Sequence, residues 1–307
     1  MKNKCITKGL RTSAGLFYLT GFMEKLKIAI QKSGRLSEKS MKLFEECGIS
    51  QNNGKRKLVA TSPDFPVEWL FLRDDDIPQY VNDGVADIGI VGENEVLEKG
   101  YPVRIVEKLG FARCKLSLAI PKEYDYSGLN WFQGKRIATS YPKILKDFFS
   151  EKGIRTEIHQ ISGSVEISPA IGLADGIFDI VSSGSTLISN GLKEVETVAK
   201  SEAVIIGKAD LSQAKQEILE KLLFRIRATQ KSRKNKYVVL NAPNERLEEI
   251  IELIPGMKSP TVMGLANVGW SSVHSVINED VFWEVIDALK QKGAQGILVM
   301  PIEKMIV

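Results

Sequence analysis

Short apolar runs alternate with amphipathic stretches along most of this chain. "LKIAI" (26–30) is bounded by a Ser/Gly turn and predicts a strand. The segment "SEKSMKLFEECG" after it puts Met41, Phe44 and Cys47 on one helical face and stops at Gly48. The order returns at "KRIATS" (135–140), followed by a turn at Tyr141-Pro142 and the helical pattern "KILKDFFSEKG", so Ile28-Ala29 and Ile137-Ala138 are counterparts. A further echo reads G-x-x-D-I-x-x-x-G from both Gly84 and Gly176, aligning Asp87 with Asp179 and Gly92 with Gly184. Matched segments in the same order predict an old duplication with a changed spacing.

Strands alternating with helices point to parallel α/β sheets, and two such lobes set their strand-end loops across a crevice. Lobe I is expected over 23–115 and 196–225, and lobe II over 116–195. From 226 to 307 the rhythm becomes strand "KYVVLN", helix "NERLEEIIELI", strands "TVMGLA" and "SSVHSVI", helix "EDVFWEVIDALKQKG" and strand "GILVMPI". That is the ferredoxin-like order. The expected fold class is α/β: a two-lobed, periplasmic-binding-protein-like catalytic unit plus a C-terminal ferredoxin-like (βαββαβ) regulatory domain.

Composition narrows the function classes. With 307 residues, 43% hydrophobic and 26% charged, the chain has room for several cores and reads as a globular protein. A net charge of +4 suits a small polyanionic substrate and is too weak to argue for nucleic acid. Its densest basic run, "KSRKNK" (231–236), reads as a solvated linker. Cys5, Cys47 and Cys114 are scattered without a metal or disulfide spacing, which fits a reducing compartment. His159 and His274 are read as surface or packing residues. No apolar run reaches the roughly 18 residues needed to span a bilayer. Residues 1–22 carry a short, interrupted apolar run behind Lys and Arg. They are read as an extension without a role in the fold, disordered or a mis-assigned start, so the protein is expected in the cytoplasm.

Several clusters carry chemistry, each with a plainer reading beside it. "FDIVSSGSTL" (178–187) ends an apolar strand in an acid, hydroxyls and a glycine, either a phosphate-holding loop or an ordinary strand-to-helix turn. In "QKSGRL", Lys32 and Arg35 flank Ser33-Gly34 and could clamp a triphosphate, without P-loop spacing, or simply lie in solvent. "RDDDIP" sets Arg73 beside Asp74, Asp75 and Asp76, tolerable in open water or beside cations and substrate hydroxyls. "GIVGEN" places Glu93 and Asn94 after Gly92, and "GSVE" puts Glu166 near a helix start that its carboxylate could serve.

Together "QKSGRL", "RDDDIP", "GIVGEN", "KRIATSYP", "GSVE", "DIVSSGSTL" and "ILVMPIEKM" resemble the long form of the ATP phosphoribosyltransferase family, from Met23 to Val307. The resemblance implies that N1 of ATP displaces pyrophosphate from the anomeric carbon of phosphoribosyl pyrophosphate (PRPP), giving phosphoribosyl-ATP in histidine biosynthesis, with Mg2+ carried by the substrate phosphates rather than by a protein metal site. It implies that Ser182, Ser183, Gly184, Ser185 and Thr186 surround the PRPP 5′-phosphate while Asp179 and Glu166 face the ribose. Lys32, Arg35, Arg73, Asp75, Glu93 and Tyr141 would serve ATP or pyrophosphate. It further implies a C-terminal domain that binds histidine as feedback inhibitor around Asn241, Thr261 and Ala294, and dimers assembling into a hexamer. In "SPTVMGLANVGW" Gly264 stands where the family usually has Pro. The competing readings are a two-lobed small-molecule binding or sensing protein and an inactive regulatory paralogue.

Overall fold

The computed structural model describes residues 24–52, 58–182 and 184–306. The expected extension 1–22, Cys5 within it, and Ser183 lie outside the described residues. The chain builds β1 (Leu26–Gln31), α1 (Arg35–Glu46), β2 (Val59–Thr61), β3 (Val67–Leu72), α2 (Ile77–Asn82), β4 (Ile88–Gly92), α3 (Glu93–Lys99) and β5 (Arg104–Lys108). It crosses into β6 (Cys114–Pro121), β7 (Arg136–Thr139), α4 (Pro142–Glu151), β8 (Glu157–Gln160), β9 (Gly176–Val181), α5 (Ser185–Ser189) and β10 (Leu192–Ser201). It returns through β11 (Ala203–Gly207) and α6 (Gln213–Arg233). The last unit comprises β12 (Asn235–Pro243), α7 (Leu247–Leu253), β13 (Thr261–Gly264), β14 (Trp270–Asn278), α8 (Glu279–Gln291) and β15 (Gln295–Pro301).

The two lobes share one plan. Lobe I has strand order β2-β3-β1-β4-β11-β5, and lobe II, read from its other edge, has β8-β7-β9-β6-β10. β3, β1 and β4 correspond in order and direction to β8, β7 and β9, and each lobe then adds an antiparallel strand, β11 or β6. The register is equivalent too: Ile28 pairs Ile88 as Ile137 pairs Gly176. Ile28-Ala29 and Ile137-Ala138 are therefore true counterparts.

That register corrects the second echo. The partner of Asp87 is Asp175, not Asp179. Asp87 accepts from the Lys27 amide at 2.8 Å and donates its own N–H back to the Lys27 carbonyl. Asp175 repeats this with Arg136, accepting its amide at 2.9 Å. Each acid pins the start of one strand to its neighbour, and each is ion-paired, to Lys215 at 2.8 Å and Arg136 at 3.1 Å. The better echo is G-x-A-D from Gly84 and Gly172, both with φ near +75°. Asp179 lies inside β9, four residues further on.

The lobe edges differ slightly from the expected ones. β6 begins at Cys114 and β10 runs to Ser201, because these strands are the crossovers and pair along most of their length. The expected boundary at 225/226 falls inside α6, a 21-residue helix. Its Ile218, Leu219, Leu222 and Ile226 fill the core of lobe I with Phe44 and Trp69. Its last two turns hold the C-terminal tail: Ser232 Oγ donates to the Glu303 carbonyl at 2.8 Å, and the Met305 amide to the Ala228 carbonyl. "KSRKNK" is consequently no linker. It ends α6 and opens β12, with Arg233 paired to Glu46 and Lys236 to Glu279.

The C-terminal sheet, ordered β13-β14-β12-β15, packs Val238, Leu240, Val273 and Ile277 against Ile250, Phe282 and Leu289 of α7 and α8. Alternation then turns Tyr237, Leu298 and Met300 outward. No helix among the described residues is long and apolar enough to cross a membrane.

Candidate active site

The crevice is framed by equivalent strand ends, and lobe I contributes the β4–α3 junction. A Cβ on Gly92 would collide with Asn94 Oδ1, so glycine lets the Asn94 side chain fold back over the strand end. Asn94 is buried and accepts from Ser201 Oγ at 2.8 Å. Its amide donates to Glu95 Oε1 at 2.9 Å and to the Tyr141 hydroxyl of lobe II at 3.2 Å. Glu98 reaches further, accepting the Lys143 and Ile144 amides at 2.9 and 3.0 Å and so capping α4 from the opposite lobe. These contacts hold α3 against the start of α4.

Lobe II contributes the end of β9. Asp179 sits three residues before Ser182, and Gly184 adopts φ +75° at the entry to α5. Ser182, Tyr141, Asn94 and Glu95 line one cavity of about 480 Å³ with Arg35 and Lys39 on its cationic side. The carboxylates here are electrostatically tense. Burial, then Asp74, pushes the Glu95 carboxyl up from its ordinary value. Burial raises Asp179 as well, with Glu166 adding repulsion against the relief from the Ile180 amide. The Tyr141 hydroxyl is driven far up by burial, Glu95 and Asp179. Such clustering of displaced acids in a cleft suits a reaction in which positive charge develops between them.

The expected site residues divide accordingly. Arg35, Tyr141 and Ser182 share the cavity; Asp179 and Glu166 lie close enough to repel; Thr186 is exposed on α5, its carbonyl accepting from Asn190 at 2.8 Å. Ser185 stands at the first position of α5. Lys32 is exposed at the end of β1, and Arg73 pairs with Asp75 at 3.3 Å on an exposed turn, outside that lining. Glu93 turns instead into a neighbouring cavity and pairs with Lys108 at 3.1 Å. In the C-terminal sheet Asn241 and Thr261 lie on strands either side of β14, whereas Ala294 is buried in the apolar core.

Sequence reasoning missed Glu95, Lys39, Gln31 and the cations Arg113, Lys115 and Lys200. Glu95 was legible as the residue after "GEN". Lys115 and Lys200 sit on the crossover strands and Arg113 just before β6, where sequence alternation alone does not disclose which lobe end they face.

The family described as ATP phosphoribosyltransferase matches residues 73–228, and its C-terminal domain matches 232–304. The chain belongs to the ATP phosphoribosyltransferase family. The ATP phosphoribosyltransferases of Phocaeicola vulgatus and Bacteroides thetaiotaomicron are 61% and 60% identical over 282 residues, which is 92% of this chain and 100% of each relative. A solved ATP phosphoribosyltransferase, the HisG:HisZ complex from Thermotoga maritima, superposes with a TM-score of 0.58 at 29% identity, covering 66% of this chain and 96% of that one. The activity is that of a pentosyltransferase of histidine biosynthesis, with ATP and PRPP as substrates.

Proposed function

We propose that both substrates meet in the crevice between the lobes, with the loop 182–186 around the PRPP 5′-phosphate. The observation that carries this is the end of β9: Gly184 in a left-handed turn, and Ser182 on the same cavity wall as Arg35, Asn94 and Tyr141. Loop amides and hydroxyls supply donors to an anion while glycine permits close approach. Asp179 and Glu166 accept from the ribose hydroxyls, which relieves their mutual repulsion. Arg35 takes phosphate oxygens inside the cavity, with Lys32, Arg73 and Asp75 at its rim.

Adenine N1 attacks the anomeric carbon as the carbon–oxygen bond to pyrophosphate breaks. The nucleophile is neutral, so orientation and charge neutralisation supply the rate and no covalent intermediate is needed. Magnesium travels on the substrate phosphates. The hydroxyls and cations of the cleft match phosphate oxygens. A cytoplasmic setting accords with the free thiols of Cys47 and Cys114.

The C-terminal unit senses histidine through Asn241 and Thr261, with the backbone at Ala294 leading into β15, and its outward Tyr237, Leu298 and Met300 supply contacts for a dimer-to-hexamer assembly. Phosphoribosyl-ATP formation from ATP, PRPP and magnesium, followed by ultraviolet absorbance, tests the cleft; added histidine tests the sensor. Turnover suppressed by histidine is expected. Asn241→Ala with Thr261→Ala should weaken inhibition about tenfold, the size of one lost hydrogen bond to a charged ligand, at unchanged uninhibited turnover. Undiminished inhibition places the histidine site elsewhere, and PRPP binding without turnover points to a regulatory paralogue.

A further inference from the structure

The reaction brings together a triphosphate and a pyrophosphate, yet the cavity holding Arg35 presents one group of cations. A second group lies at the lobe crossing. There a cavity of about 540 Å³ opens beside Ser182 and is lined by Lys108, Arg113, Lys115 and Lys200. It shares Arg113, Cys114 and Ser182 with the Arg35 cavity, so the two spaces adjoin across the start of the phosphate loop. We propose that this cavity is a second oligophosphate subsite, holding the phosphate chain of one substrate while the Arg35 side holds that of the other.

The cations are set for an incoming anion to different degrees. Lys200 makes no ion pair among the described residues. Arg113 is only loosely tied, its Nε 3.7 Å from Glu202 Oε2, and that buried oxygen has no hydrogen-bond partner. Arg113 follows Ala112, a non-glycine residue at φ 51°, so the backbone is held in a strained turn where the arginine enters the cavity. Lys115 is fixed from behind: Glu194, itself fastened by Ser117 at 2.9 Å, takes one ammonium proton at 2.6 Å and leaves two donors. Lys108 is already satisfied by Glu93 and adds field more than contacts. Glu93 and Glu202 also line the space, so a phosphate chain gains its hold from Lys200, Arg113 and Lys115 rather than from net charge alone.

This subsite rests on the reading of the crevice as the substrate site, and the test separates the two. Kd values for ATP, PRPP and free pyrophosphate are measured by calorimetry on the full chain, for Lys200→Ala, which removes a cation of this cavity alone, and for Arg113→Ala, which removes one shared by both. Thermal melting, which these exposed positions should not shift, checks folding. Lys200→Ala should lose about tenfold in affinity for ATP or for PRPP, the weight of one charge-assisted contact, and stay within about twofold for the other, whereas Arg113→Ala should weaken both. Loss for ATP alone assigns the triphosphate; loss for PRPP and pyrophosphate assigns the leaving group. Charge reversal, Lys200→Glu, should deepen the same loss. Unchanged affinity for every ligand overturns the subsite. If Gly184→Val still removes PRPP binding in that case, the crevice reading survives; if Gly184→Val changes nothing while Lys200→Ala does, the phosphate-loop reading fails and the subsite stands.

Discussion

The ends of β4 and β9 occupy equivalent places in two lobes of the same plan, yet they are built differently. β4 runs straight into α3, so Glu93, Asn94 and Glu95 arrive as a helix start carrying carboxylates and an amide. β9 runs one residue longer, and Ser182 and Gly184 flank the turn into α5. Asp87 and Asp175 pin both strands alike. The scaffold is the same in both lobes, and the difference lies in three or four residues beyond each strand. One side is an acidic, interlobe-bonded wall, and the other is a Ser/Gly turn of the kind proposed above to hold an anion.

The largest effect should come from forcing the lobe II loop out of its conformation. At φ +75° Gly184 has open space around it, its nearest side-chain neighbour being 4.0 Å from an added Cβ. Valine there fails through its backbone rather than by collision, since a β-branched residue strongly resists the left-handed region. Gly184→Val should abolish measurable PRPP binding in calorimetry while melting stays within a few degrees. Retained PRPP affinity would mean that the two strand ends are not divided as described.

A smaller effect should follow from unpinning each strand. Asp87 is buried and Asp175 partly exposed, so Asp87→Asn should cost about 1–3 kcal/mol and Asp175→Asn about 1, read from urea midpoints. Asp175 carries a pH signature. The Arg136 side chain, and then its amide, hold the Asp175 carboxyl below its ordinary value against the opposing effect of burial. A depressed carboxyl adds stability that is complete above its unfolded value of about 4 and is lost as pH falls through its lower folded value. From pH 6 down to 3, the wild-type urea midpoint should fall more steeply than that of Asp175→Asn. Parallel curves would remove the Arg136 pair from the account of acid stability.

The same aspartates mark how far the sequence could be read. "LKIAI" and "KRIATS" were legible as counterparts because short apolar runs before amphipathic helices have few other readings. The two-lobed plan and the βαββαβ unit followed from the order of such runs. The G-x-x-D match misled because Asp179 and Asp175 lie four apart around one strand start, and local spacing cannot say which acid reaches a neighbouring strand. α6 was cut at 225 because its change of allegiance, from lobe I core to C-terminal tail, leaves no break in helical pattern. The proposed phosphate loop was visible because it is contiguous. Arg113, Lys115 and Lys200 were not, since Lys115 and Lys200 lie 85 residues apart and only pairing of β6 with β10 unites them.

The finest distinction between the lobes is where each carries its strained residue. Ala112 (φ 51°) precedes the crossing into lobe II, and Ser164 (φ 52°) begins the turn that presents Glu166. A left-handed conformation costs an L-residue about 1–2 kcal/mol, part of which glycine recovers while losing some to its freer unfolded chain. Ala112→Gly and Ser164→Gly should therefore each stabilise by about 0.5–1 kcal/mol, visible as a rise of roughly 1–3 °C in melting temperature. If strain serves the substrates by holding Arg113 and Glu166 in place, the gain in stability should come with a rise in KM, for ATP or PRPP at Ala112 and for PRPP at Ser164. Higher stability with unchanged KM at both positions would make the strain incidental to folding and leave the loops' composition, not their conformation, as what separates the two lobes.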